Sequence, residues 1–537
     1  MASCKCRRNV YTLAIAFLCN FTSYMTLESM QSSLNRSTGT NSLSALYTTL
    51  VVSSLLLPPL AIAKLDCRKS LFLSILMYAI YTLANFYPKP YILIPAAVLL
   101  GTGASVMWTA AFYYVMQVAQ RHAKEKNKSI AEVTGDFFGK FTSLSHFSIV
   151  VGTLFMTVVF ESLKIDPVKT TNSTTPVNVS ENGAQHMYSL VAGNSSTPAT
   201  SLPVYEVATT IGTAQGDHET CGLYFKLNSP SKSNQISETV MYLLLCTYLA
   251  FNIIAACLCL CLDEITGTET KTVAEEAVCA SMTSLNDVTS PKIKATNQNA
   301  EDPNTDRLLG ENNNTNNTDE VIEDDKSVFK LVRSSLTLLF TDKTAFLMIP
   351  FTLHYGMMQG FVRGTFNASW IHCSLGIEYV AYVTCVYGGV MIIGCYSFGA
   401  LLRVTTHLKI FICTMSLEVI LFVITLLWKP AADGHSETWI YFLIPIGFGI
   451  CHSSLSSQLG SIYGRLYGKT KKAGTALLNV WNPMGSAIAY GLSGTLLPIH
   501  LVALVMSTCI VGTIMYTVAE KIQDKPYRKC KAVGGCL

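Results

Sequence analysis

Charge is what this sequence has least of. Asp, Glu, Lys and Arg supply 13 % of its 537 residues, about half the share of a soluble globular domain, which excludes a water-facing surface over most of the chain. Strong net charge is missing too, and a balance of +4 gives no argument for a nucleic-acid partner. Enzyme motifs are absent: there is no His-Glu-x-x-His metal motif, no paired Cys-x-x-Cys and no Ser-His-Asp arrangement. The run from Gly464 to Thr470 has a glycine spacing one residue short of a phosphate loop and leaves a helix rather than a strand. The expectation is no catalysis, no metal and no cofactor. No cleavable leader is expected, and the first apolar run reads as the first span. Lys5, Arg7 and Arg8 precede an apolar run from Val10 that outlasts a signal core and shows no small-residue cleavage site.

What the chain has is apolar length. Half its residues are hydrophobic and mean hydropathy is +0.37. Runs near the ~20 residues needed to cross a bilayer fall at about 10–31, 43–63, 70–87, 91–118, 137–160 and 239–262, and then at about 345–365, 377–402, 408–428, 439–463, 474–498 and 500–519. The expectation is an all-α polytopic membrane protein of about twelve spans, its partner the lipid bilayer. Lys and Arg set the orientation, because they are retained in the cytoplasm. Lys5, Arg7 and Arg8, Lys64, Arg68 and Lys69, Arg121 to Lys128, Arg465 to Lys472 and Lys521 to Lys531 all fall on one side, whereas the short loops of the other offer Arg36, Lys89, Arg363 and Lys429. Both termini are thus expected in the cytoplasm.

That topology sorts the sequons and the 18 cysteines. Asn35, Asn172, Asn178, Asn194 and Asn367 begin sequons on the outer side, three of them in the Ser/Thr/Asn-rich loop 161–238, and are expected to carry glycans. Cys221 and Cys373 are the cysteines in outer loops, which makes them the candidate disulfide; the alternative is two free thiols. Residues 263–330 interrupt the apolar pattern with Asn- and acid-rich sequence that cannot bury enough apolar surface to fold. They read as a cytoplasmic linker joining an N-terminal half (1–262) to a C-terminal half (331–519) that ends in a tail (520–537). Six spans, a linker and six spans is the plan of a major facilitator-type fold. Short echoes support a duplication: Tyr24 to Glu28 in span one matches Tyr355 to Gln359 in span seven, and Gly101-Thr102-Gly103 in span four matches Gly447-Phe448-Gly449 in span ten.

Polar groups within spans face a cavity or another helix. Tyr24, Glu28, Gln31, Trp108, Tyr355, Gln359, Arg363 and Asn482 are the candidates for a cavity or mouth between the halves, with a Glu28–Arg363 pair able to close it. The competing reading sends Glu28 and Arg363 to the headgroup region. Glu418, His146 and His452 are either proton relays or structural contacts. Gly356, Gly360 and Gly364, four apart, mark a close helix approach.

Several segments resemble one known family. Ala61 to Lys69 keeps the basic end of the facilitator loop after span two but lacks its glycines, and Leu27 to Leu34 closes span one. With Leu46-Tyr47, Leu57-Pro58-Pro59-Leu60, Leu99 to Ala104 with Trp108, and Cys373 to Ile377 with Tyr382, the chain resembles the protein unc-ninety-three family, homolog A branch. The likeness spreads over both halves. It departs at Glu28, where the resemblance implies Gln, and in the third outer loop, where it implies a second cysteine. It implies a regulatory or accessory subunit of a two-pore potassium channel. The lack of an ER-retrieval tail points to the plasma membrane, and Asp306-Arg307-Leu308-Leu309, similar to an acidic dileucine signal, leaves the endosomal membrane as the other location. The architecture also admits a secondary transporter of a small solute or ion, and a distinct branch of the family consists of trafficking escorts for membrane receptors.

Overall fold

The computed structural model describes residues 2–54, 57–128, 130–162, 221–227, 238–263, 343–401, 404–430, 437–466 and 471–532. Asn172, Asn178, Asn194, the linker 263–330 beyond its first residue, and the last residues of the tail lie outside them. The N-terminal half contains α1 (Ala2–Ser54), α2 (Leu57–Ala84), α3 (Pro90–Lys126), α4 (Ile130–Ser162) and α5 (Glu238–Leu260). The C-terminal half contains α6 (Lys343–Gly360), continued by π1 (Phe361–His372), then α7 (Ile377–Leu401), α8 (His407–Leu427), α9 (Thr438–Leu466), α10 (Lys471–Ser493) and α11 (Pro498–Ala532).

Among the described residues, nine helices are long and apolar enough to cross a membrane. The first of them, Lys5–Ser54, holds two crossings. At 1.5 Å per residue its 50 residues would run ~75 Å, more than twice a bilayer core, and the chain turns back at Arg36, whose φ of 47° and ψ of −131° are not helical. The second crossing continues into α2 and ends at Asp66 (φ 60°). Two further, more polar helices, α6–π1 and α10, pack within the same bundle. Nine helices, one counted twice, and these two make twelve crossings.

Two boundaries differ from expectation. The segment between spans one and two is helical on both sides of Arg36 rather than a loop. The seventh crossing does not stop at 365 but runs on through π1 to Leu375, because Phe361 to Ile371 are all buried and the bundle supplies the cover that apolar sequence would otherwise signal. In addition, α11 extends to Ala532, past the expected start of the tail.

Each half has its own core. One cluster runs through Leu13, Phe17, Leu71, Ile75, Leu100 and Phe141, and the other through Met348, Phe351, Phe411, Phe422, Phe448 and Val505. The second cluster reaches across to Met30, Phe160 and Val240 of the first half, all at the end of the bundle opposite the N-terminus, called here the far end. Leu83, Ile253, Ile393, Leu427 and Ile514 are exposed on the perimeter, where hydrocarbon replaces water. Tyr87, Tyr91, Tyr242 and Trp439 are exposed at the far end, as aromatic residues are at a membrane interface.

The duplication is visible in helix contacts. A Cβ on Gly152 of the fifth crossing would collide with the Thr22 carbonyl oxygen of the first, and one on Gly485 of the eleventh would collide with the Leu353 carbonyl oxygen of the seventh. These are equivalent helix pairs in the two halves. The stripe of Gly356, Gly360 and Gly364 faces Asn482, Ala489 and Tyr490 of α10, so the seventh and eleventh crossings touch along their length.

Candidate functional site

Between the halves lies a cavity of about 390 Å³. Phe21, Trp108 and Phe112 form one wall, with ring centroids 5.2 Å (Phe21–Trp108) and 5.5 Å (Trp108–Phe112) apart. His146, Tyr355, Gln359, Arg363, His452 and Asn482 supply its polar groups. Gln359 Nε2 donates to Asn482 Oδ1 at 3.5 Å. His452 packs edge-on against Tyr355 at 5.4 Å and is hydrogen-bonded to Tyr387. From Arg363 the lining runs toward the near end along Ser54, Pro58 and Leu459.

At the far side of Arg363 the halves meet. Arg363 Nη1 donates to Glu28 Oε2 at 3.0 Å, and the two side chains are 9 % and 1 % exposed. Glu28 Oε1 accepts from Tyr47 Oη at 2.5 Å and from Tyr490 Oη at 3.1 Å, and those two rings stack at 5.7 Å. One carboxylate therefore takes three donors from the second, seventh and eleventh crossings while sitting on the first. A buried charge is tolerated when it is paired and its remaining lone pairs are satisfied, and Glu28 meets both conditions. Backbone bonds extend the seam: Ser32 Oγ donates to the Gly364 carbonyl at 2.8 Å, Asn367 Nδ2 to the Ser29 carbonyl at 3.1 Å, and Ser44 Oγ to the Ala487 carbonyl at 2.9 Å.

Of the residues singled out in the sequence, Trp108, Tyr355, Gln359, Arg363 and Asn482 line the cavity, and Glu28 seals its end. Tyr24 adjoins the seam, hydrogen-bonded to Tyr47 beside Glu28, and Gln31 is placed elsewhere. Tyr24 is buried against Tyr78 at 5.2 Å. Gln31 is fully buried within the N-terminal half, its Nε2 donating to Tyr81 Oη at 2.8 Å and Asn85 Oδ1 at 3.0 Å. Glu418 is also outside the cavity, paired with His354. The sequence reading missed Tyr47 and Tyr490 as ligands of Glu28, and Tyr387 beside His452. Tyr47 belonged to a segment already marked by resemblance; nothing marked Tyr490.

Two of the sequon asparagines lie among the described residues. Asn367 is 3 % exposed and spends its amide on the Ser29 carbonyl. Asn35 is half-buried, with Nδ2 donating to Gln31 Oε1 and Asn85 Oδ1, both at 3.1 Å.

Cys221 and Cys373 form a disulfide with Cα atoms 5.6 Å apart, 152 residues apart in sequence. Beside it Gly222 N donates to the Ser369 carbonyl at 2.7 Å, and Ile499 N to the Leu223 carbonyl at 3.1 Å, so residues 221–227 cap π1. Closing so long a loop stabilises by about 2–4 kcal/mol. In protein isolated under thiol-blocking conditions, peptide mapping should recover one crosslinked peptide bearing Cys221 and Cys373, and Cys373→Ser should lower thermal stability by that amount.

A bundle of twelve crossings, two six-helix halves around a central cavity sealed at one end, defines a multi-pass membrane protein of the major facilitator fold. The nucleoside transporter NupG has the same fold, with a TM-score of 0.54 at 9 % identity over 96 % of this chain and 99 % of that one. Residues 30–517 match the family model described as "Ion channel regulatory protein UNC-93", and the chain belongs to that family. It is similar to Protein unc-93 homolog A of Xenopus laevis, 25 % identical over 97 % of this chain and 95 % of the relative, and of Homo sapiens, 24 % identical over 96 % and 94 %. The putative potassium channel regulatory protein unc-93 of Caenorhabditis elegans is 21 % identical over 91 % of this chain and 57 % of its own length.

Proposed function

We propose that this protein is a regulatory partner of a two-pore potassium channel in the plasma membrane, with both termini in the cytoplasm, and that the Glu28–Arg363 seam sets its conformation. The family supports the class of activity, and the asymmetry of Lys and Arg supports the orientation. The observation that carries the reading is the seam itself. A fully satisfied carboxylate, a buried guanidinium and three side-chain-to-backbone bonds hold the halves together on the extracellular side, so the molecule rests in a closed shape that a neighbour can recognise. The cavity supports a second reading, a transporter of a small solute, since Arg363, Gln359 and Asn482 offer polar groups beside an aromatic wall.

Potassium current and solute flux recorded in the same cells separate the two. The regulator predicts a current altered when protein and channel are expressed together and no flux from the protein alone; flux from the protein alone, with the channel current unchanged, overturns it. Surface biotinylation of the same cells checks the location.

A further inference from the structure

Inside the C-terminal half, away from the cavity and the seam, three chemically distinct ligands converge. His354 on α6, Glu418 on α8 and Cys509 on α11 place donor atoms within 4.8 Å of one another, and all three are buried. His354 Nε2 lies 2.9 Å from Glu418 Oε1, both side chains being 0 % exposed. The second carboxylate oxygen, Glu418 Oε2, is buried with no hydrogen-bond partner. Cys509 Sγ is 3.7 Å from the Met415 thioether. An unpartnered carboxylate oxygen in the protein interior is costly, whereas imidazole, thiolate and carboxylate are together the ordinary ligands of zinc, and a neighbouring thioether keeps the site soft.

We propose that His354, Glu418 and Cys509 bind one Zn²⁺ ion that joins the seventh, ninth and twelfth crossings. Charge conservation in the low-dielectric interior supports a divalent ion. Without metal, neutrality requires that the His354–Glu418 pair hold one proton between its members and that Cys509 be a thiol. Zinc displaces both protons, leaving neutral imidazole, carboxylate and thiolate around a 2+ ion, and the net charge of the site stays at zero. A monovalent copper ion would displace only one. A second three-residue group, Cys6, His122 and Glu125, lacks this balance. Arg121 Nε is 3.6 Å from Glu125, and Arg7, Lys126 and Lys128 add positive charge around His122.

The test is elemental analysis of the full-length protein, purified in detergent through a histidine-free tag, as wild type, Cys509→Ser, Glu418→Gln and Cys6→Ser. Stoichiometric zinc is expected in wild type and Cys6→Ser, falling at least fivefold in the other two. Wild type stripped by a chelator should regain thermal stability on adding ZnCl₂, because a ligand that binds only the folded state raises its midpoint. Zinc retained in Cys509→Ser, copper in place of zinc, or wild type that holds no zinc and gains no stability from it would overturn the assignment. The stripped and reloaded wild type decides the matter even if a variant fails to fold.

Discussion

Glu28→Gln should be the most consequential single substitution at the seam. It removes the counter-charge and leaves the Arg363 guanidinium buried beside a neutral amide, and breaking a buried pair on one side costs about 3–5 kcal/mol. Part of that cost is avoided if the halves separate and admit water, so the variant is expected to populate an opened far end. Two measurements check this. Thermal unfolding in detergent should fall well below wild type. A cysteine placed at Ser32, 1 % exposed in the closed seam, should react with a membrane-impermeant maleimide faster by about tenfold for each ~1.4 kcal/mol shifted. Replacing both partners, Glu28→Gln with Arg363→Met, should recover most of the stability, since an uncharged pair of similar volume removes the stranded charge. An unreactive Ser32→Cys in the Glu28→Gln background, with unchanged thermal stability, would show that the pair holds nothing shut.

The second large effect is expected at Gly485. Its missing side chain lets α10 rest directly on the α6 backbone, with Leu353 O and Met357 N in the space a Cβ would need. Backbone cannot yield as a flexible side chain does, so Gly485→Val should cost about 3 kcal/mol or more, seen as loss of monodisperse protein on size exclusion. Gly152→Val, its counterpart against Thr22 and Thr26, should do the same to the N-terminal half. Gly389, where a Cβ meets nothing within 4 Å, is the control. Gly389→Ala should be neutral or slightly stabilising, as alanine is the better helix former by about 1 kcal/mol.

The crossings were legible because bilayer thickness imposes a length on each apolar run, and Glu28 and Arg363 stood out because charge is rare there. Their phenolic partners were not legible. Tyr47 and Tyr490 look like any other tyrosine until the fold aims both hydroxyls at one oxygen. Gln31 shows the opposite failure: its polarity announced a buried role, but polarity alone does not say whether a side chain faces the gap between halves or, as here, Tyr81 and Asn85 within one half. The sequons at Asn35 and Asn367 could not show how far the fold covers each side chain, because a three-residue pattern is local while burial is not. The π-helical end of the seventh crossing left no trace because its cover comes from α1, residues 221–227 and α10, far away in sequence.

The contacts at Gly152 and Gly485 also bear on how the molecule can deform. With backbone seated on backbone, neither half has a compressible layer between these helices, so each moves as a solid wedge. Among the described residues, the cavity and the seam are then where the wedges can part, and they permit a rocking that widens the protein in one leaflet while narrowing it in the other. A neighbour resting on the lipid-facing flank would register that motion as a change in lateral profile, without any ligand passing between them.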